Sequence, residues 1–210
     1  MFSITGDSVG KVWIQYLSCI LDNGSEFHDE NEQIFELDDI VLTIKDNVED
    51  DTILEKYADK KLASLYLKKM QTLEIVPELN ASYGQRIFNQ LGVNQYEWCL
   101  NRLRKKPESK AATMSLLLPD DPGPRIPCLT TIDFKLRNNC LSAKTFFRSQ
   151  NALNAYGNIL ALFWLMDRFS NDLNVKRDKL TCFISNGHIY CDKIENAKRI
   201  VNNSLRDGQK

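Results

Sequence analysis

Cys128 stands in the run Ile126-Pro127-Cys128-Leu129, and twenty residues later the chain reads Phe146-Phe147-Arg148-Ser149-Gln150-Asn151, with Asn158 following. A thiol is a useful nucleophile only as the thiolate, and a nearby guanidinium both favours that form and holds an anionic substrate. Arg148 and Ser149 offer a planar fork of donors beside a hydroxyl, the combination suited to a phosphate dianion. Asn158 lies within an apolar run, where an amide that can both donate and accept needs a partner. His188 and Tyr190, separated by one residue, fall on the same side of an extended segment. Tyr83 precedes a glycine at a helix entry, a position that more often serves packing. Covalent catalysis on a phosphorylated substrate is the chemistry that this set supports.

Composition removes several alternatives. Lys and Arg number 27 against 28 Asp and Glu, so no net field draws the chain to nucleic acid or to an anionic membrane. The cysteines Cys19, Cys99, Cys128, Cys140, Cys182 and Cys191 are dispersed, without a Cys-x-x-Cys, and only two histidines accompany them. This pattern reads as free thiols in a reducing cytoplasm and not as a metal site. The N-terminus, Met1-Phe2-Ser3-Ile4-Thr5-Gly6-Asp7, has neither a basic start nor an apolar core of a leader, so a cytoplasmic location is expected. The most apolar stretch, Ala152 to Phe169, is interrupted by Asn154 and Asn158 and reads as a buried helix, not as a membrane span.

The elements that must carry these residues follow from periodicity. Helical spacing places helices at Val9 to Leu21, at Thr52 to Met70, and at about Asn94 to Lys105 with Trp98, Leu100 and Leu103 toward the core. Strands are expected at Leu37 to Ile44, within Ala112 to Leu118, at Thr131 to Arg137, at Cys140 to Phe147 after the Asn138-Asn139 turn, and at Thr181 to Ser185. A last helix runs from about Asp192 to Leu205, the acidic patch from Asp46 to Asp51 reads as a solvated loop, and Asp120-Asp121-Pro122-Gly123-Pro124 as the loop delivering Cys128. The irregular order predicts an α+β fold with helices packed on a mixed, mostly antiparallel sheet, in one domain spanning residues 1–210.

The order of Tyr83-Gly84-x-Arg86, Pro107-x-Ser109, Pro127-Cys128-Leu129, Arg148-Ser149-x-Asn151, Asn158 and His188-Ile189-Tyr190 resembles the thymidylate synthase family, and most nearly its short archaeal type, which has Pro-Cys-Leu. The resemblance implies that Cys128 adds to carbon 6 of a uracil ring, making carbon 5 nucleophilic toward the one-carbon unit of 5,10-methylenetetrahydrofolate or a related reduced pterin. It implies that Arg148 and Ser149 bind the phosphate, Asn158 the uracil edge, and His188 and Tyr190 the ribose. Tyr83 would assist loss of the carbon 5 proton, and Asn151 would meet the pterin. A homodimer is implied as well, with a partner cation at the position of Lys110 completing the phosphate site.

The chain departs from the family pattern in four places. Lys110-Ala111 replaces a pair of arginines, an expectation of reduced phosphate affinity. Asn151 replaces an aspartate, so a single amide oxygen faces the pterin. Residues 151–158 are one position shorter than in bacterial relatives, and no motif supplies the usual glutamate, with Glu74 and Glu78 merely near its place. The end of the chain, Ser204-Leu205-Arg206-Asp207-Gly208-Gln209-Lys210, lacks an apolar closure segment. Three readings follow: a synthase converting dUMP to dTMP; a hydroxymethylase or specialised-metabolite relative; and a non-catalytic nucleotide-binding homologue.

Overall fold

The computed structural model describes residues 1–29, 32–45, 51–79, 81–118, 121 and 126–207. Its frame is a mixed, mostly antiparallel sheet of eight strands. Strand β1 (Phe2–Gly6) runs parallel to the far half of β3 (Glu32–Ile44), and β2 (Ser25–Asp29) pairs antiparallel with its near half. Next to β3 lies β8 (Lys176–Tyr190), antiparallel, followed by β6 (Cys140–Phe147), β5 (Leu129–Arg137) and β4 (Thr113–Ser115). β6 is parallel to β8, and the short β7 (Gln150–Asn151) extends that pairing by joining Gly187 and His188. The α+β class expected from the element order is the class observed.

Alternation explains which face is covered. Along β5, Ile132, Phe134 and Leu136 point to the helices, and along β3 Ile40, Leu42 and Ile44 do the same. Helix α1 (Val9–Asn23), capped by Ser8 Oγ on Lys11 N–H, buries Val9, Val12, Trp13, Tyr16, Leu17 and Ile20 against them, as its spacing predicts. The central α6 (Ala155–Leu173) is buried on most sides and connects β7 to β8. Trp13 Nε1 donates to Ala152 O at 3.0 Å, tying α1 to the entrance of α6. The opposite face of the sheet carries a band across four strands, Val41, Phe183, Phe146 and Thr131, in register and, among the described residues, without a helix packed on it. Phe146 and Phe183 are 45% and 40% exposed there.

Several expected elements change in extent. The helix from Thr52 to Met70 is two helices, α2 (Thr52–Tyr57) and α3 (Lys60–Gln71), because Asp59 leaves helical geometry to cap Lys61 and Leu62 N–H. Residues Tyr83–Phe88 form a short α4, N-capped by Ser82, where only an entry to the next helix was expected. In α5 (Gln95–Lys105) the buried face is Tyr96, Cys99, Leu100 and Leu103, while Trp98 is 51% exposed. That set obeys the i, i+3, i+4, i+7 rule, which Trp98 does not. β3 and β8 extend well beyond the apolar cores read from sequence, and β1 and β2 join them. The last helix is α7 (Ile194–Asp207). Of the acidic loop only Asp51 is described, bonding Gly10 N–H at 2.6 Å; of the loop before Cys128, only Asp121 is described between positions 119 and 125; the final positions 208–210 also lie outside the described residues.

Two close approaches set the position of α3. A Cβ on Gly157 of α6 would stand 2.7 Å from the Tyr66 ring, and one on Gly84 of α4 would stand 2.2 Å from Thr72 O, just past the end of α3. Hydrogen in place of a methyl group is what lets α4 begin against the backbone that leaves α3. The Gly84→Ala variant is therefore expected to lose about 1–3 kcal/mol from overpacking and to melt several degrees lower. An unchanged melting curve would show that α4 has room to withdraw.

Candidate active site

Cys128 is placed by its neighbours on three elements. A β-bulge at Thr130 shifts the β5–β6 register between Leu129 and Thr131, so Leu129 takes a core position and Cys128 is left half-buried at the sheet end. Arg148, just beyond β6, donates its backbone N–H to Cys128 O at 2.9 Å. Its guanidinium also donates Nε to Pro127 O at 3.2 Å and an Nη2 hydrogen to Ile126 O at 2.9 Å. Two of the five guanidinium N–H groups are thus committed, and the remainder can meet an anion.

Helix α4 brackets the same segment from the other side. Tyr83, buried, accepts the Leu129 N–H on its phenol oxygen at 3.3 Å. One turn along, Arg86 donates to Leu116 O at 2.6 Å and forms a two-pronged pair with Asp121, at 2.8 and 2.6 Å. Asp121 in turn accepts Leu118 N–H, and the Arg86 hydrogen bond holds its carboxyl below the ordinary carboxylate range.

The parallel pairing of β7 with β8 gathers the polar residues. Asn151 lies opposite His188, and Ser149 Oγ is 3.4 Å from His188 Nδ1. The His188 and Tyr190 rings meet edge to face at 5.4 Å, with Ile189 buried between them on the other side of the strand. Asn158 is buried in the first turns of α6. Asn151 Oδ1 accepts Leu153 N–H at 3.0 Å and starts the 3-10 turn Ala152–Asn154. That bond leaves the Asn151 amide NH2 as the group able to meet a ligand.

Lys110 stands apart from this cluster. It precedes β4, and its carbonyl accepts from Lys135, near the opposite end of β5. At the usual strand rise that is roughly 20 Å along β5 from Cys128. Glu74 and Glu78 are exposed on the connection after α3 and do not join the cluster. Two residues that sequence reasoning missed do join it. Tyr66 and Lys69, one helical turn apart on α3, both feel the charge of Cys128. Burial raises the Tyr66 phenol to about 12, and burial lowers the Lys69 ammonium to about 8. A tyrosine and a lysine at i, i+3 on a half-polar helix were the available signal. The thiols of Cys99 and Cys182 are each pushed by burial to about 12, as inert core thiols are. Among the described residues no group of three or more potential ligands could hold a metal ion, and no helix is long and apolar enough to cross a membrane.

Comparison with known proteins gives a concordant picture. The family model described as thymidylate synthase matches residues 12–209. A protein provisionally named thymidylate synthase from Methanosarcina mazei is 27% identical over 207 residues, covering 95% of each chain. Its namesake from Methanothermobacter marburgensis is 26% identical over 220 residues, covering 96% of this chain and 99% of its own.

Burial holds the His188 pKa below the ordinary 6.5 of imidazole, against the opposing pull of Asp29. The folded chain therefore resists taking up this proton while the unfolded chain accepts it. The stability due to neutral His188 is expected to be complete above pH 6.5 and to be lost as the pH falls through the lower folded-state value. Urea unfolding across that window should show a steeper decline for the native chain than for His188→Gln. Parallel curves would mean that His188 does not titrate differently on folding.

Proposed function

The chain belongs to the thymidylate synthase family, and from that premise we propose that it transfers a one-carbon unit to carbon 5 of dUMP, giving dTMP by way of a covalent bond from Cys128 to carbon 6. The observation that carries this reading is the double use of Arg148, which fixes three consecutive carbonyls at 126–128 while keeping guanidinium donors for a phosphate. Ser149 would add a hydroxyl to that phosphate, and the buried Asn158 would pair with the uracil edge. His188 and Tyr190 would share the ribose, and Tyr83 would orient the segment that carries the thiol. All of this would take place within one domain in the cytoplasm.

The carbon donor implied by the family is 5,10-methylenetetrahydrofolate or a related methylene-pterin, which supplies both the carbon and a hydride when bound. The half-buried Asn151 fits a pterin through its NH2, which can donate to a ring carbonyl, because its oxygen is engaged by Leu153 N–H. The same observation favours a second reading. A pterin held by one donor instead of a carboxylate is held less firmly, and early departure would let water complete the reaction, giving a 5-hydroxymethyl nucleotide.

The uncovered aromatic band of the sheet supports a homodimer formed through Val41, Phe146 and Phe183, with Lys110 serving the partner's phosphate site across it. In sedimentation experiments the native chain is expected as a dimer and Phe146→Asp as a monomer. A monomeric native chain would remove this part of the reading.

The reaction itself is tested with dUMP and dCMP carrying tritium at carbon 5, with and without methylenetetrahydrofolate. Donor-dependent release from dUMP is expected, falling on the order of 10³-fold or more in Cys128→Ser. Mass spectrometry of the product then distinguishes the methyl group from the hydroxymethyl group. Release from neither nucleotide would leave only a nucleotide-binding role.

A further inference from the structure

Lys69 lies in the last turn of α3, half-buried. Its Nζ is 3.9 Å from the centre of the Tyr83 ring and 5.7 Å from that of Tyr66. Through its phenol oxygen, Tyr83 reaches the amide of Leu129, the residue that follows Cys128. A single buried ring therefore spans the gap between the lysine and the backbone beside the thiol. Among the described residues no carboxylate forms an ion pair with Lys69. An ammonium held away from water against aromatic faces, without an anion, is costly, and the usual relief is to release its proton. Burial brings Lys69 down to about 8, opposed only by its electrostatic interaction with Cys128. Near neutrality this amine exchanges readily between its two forms, which is the property a proton carrier needs.

The other groups around it are less suited to that task. Tyr66 on its own helix, Tyr83 on α4, Tyr156 on α6 and Tyr190 on β8 are all raised, chiefly by burial, and stay neutral phenols. Arg148 remains charged throughout. Glu74 and Glu78 are exposed on the segment after α3.

We propose that Lys69 is the acid–base residue of the Cys128 site, its free amine taking the proton that leaves carbon 5 of a pyrimidine joined through carbon 6 to Cys128. This rests on the covalent reading given above. In the step, the bond from carbon 5 to hydrogen breaks and its electron pair becomes the double bond of an enolate with the carbonyl at carbon 4. The amine gains the proton and becomes an ammonium, which balances the enolate charge. The ammonium later returns its proton to water. The enolate would then expel the donor's nitrogen from the carbon attached at carbon 5, leaving an exocyclic methylene; once hydride from the donor has added to that methylene, carbons 5 and 6 regain their double bond and Cys128 leaves as the thiolate.

Two readouts on the intact chain separate this proposal from the reading beneath it. With 5-fluoro-dUMP and methylenetetrahydrofolate, fluorine at carbon 5 blocks proton loss, so the mass of the covalent adduct reports the Cys128 step alone. Tritium release from carbon 5 of dUMP reports both steps. In Lys69→Met, Lys69→Arg and Lys69→Ala, adduct formation is expected to stay near native while tritium release falls by about 10²–10⁴-fold. Native release should rise with pH through about 8, on a limb that adduct formation lacks and that Lys69→Arg abolishes. Ethylamine should restore release to Lys69→Ala in proportion to its free-base form, which a packing role would not allow. Lys69→Met, an apolar side chain of similar length, serves if the alanine variant does not fold. Native-like release in Lys69→Met would overturn the proposal, as would parallel loss of adduct and release in every variant. An absent adduct in the native chain would sink the covalent reading, and this proposal with it.

Discussion

Arg148 joins two strands where their own ladder ends. Past the bulge at Thr130 the antiparallel pairing of β5 and β6 resumes only at Leu129 and Phe147 before it ends, and the backbone N–H of Arg148 continues it by bonding Cys128 O. Its guanidinium then binds the two carbonyls before Cys128, which would otherwise have no strand partner. Charge-assisted bonds of this kind are stronger than neutral ones. The orientation of the thiol thus depends on the same cation that can receive a phosphate, so loss of either function would disturb the other.

Around that clamp the layers are arranged by close backbone approach. Gly84 lets α4 start against the end of α3, and Gly157 lets α6 pass the Tyr66 ring. Consequently Tyr83, Tyr66 and Lys69 converge near Cys128 although they lie on separate helices or separate turns. The parallel run of β6, β7 and β8 brings Arg148, Ser149, His188 and Tyr190 to one end of the sheet, where the first turns of α6 present Asn158. Open sheets commonly bind ligands beyond the carboxyl ends of parallel strands.

Much of the frame was legible in the residues because periodicity and turn chemistry acted locally. The buried stripe of α1 contains every residue its spacing predicts, with Gly10 and Ile14 buried as well, and the Asn138-Asn139 turn has both residues at positive φ, 50° and 59°, as a tight hairpin requires. What escaped depended on distant partners. The polar stretches 36–38 of β3 and 186–188 of β8 are strand because each pairs with the other, Lys176 and Arg177 of β8 because they pair with β6, and α4 is too short for a periodic signal. Asp59 read as one more polar residue of a long helix, yet its side chain was better spent capping a new one. Among the candidate site residues, the short motifs lie where Arg148 bonds the Cys128 carbonyl and where Ser149 Oγ comes within 3.4 Å of His188 Nδ1. Lys69 follows Lys68 in the chain, and only the packing of α4 shows that Lys68 is exposed while Lys69 lies over a buried ring.

The central claim is that Cys128, Arg148, Ser149 and Asn158 hold one pyrimidine nucleotide for attack by the thiol. A crystal structure with 5-fluoro-dUMP and the carbon donor tests it most directly. The account predicts continuous density from Cys128 Sγ to carbon 6, the phosphate on Arg148 and Ser149, and the base edge on Asn158. A nucleotide bound with its ring away from Cys128, or its phosphate away from Arg148, would contradict it.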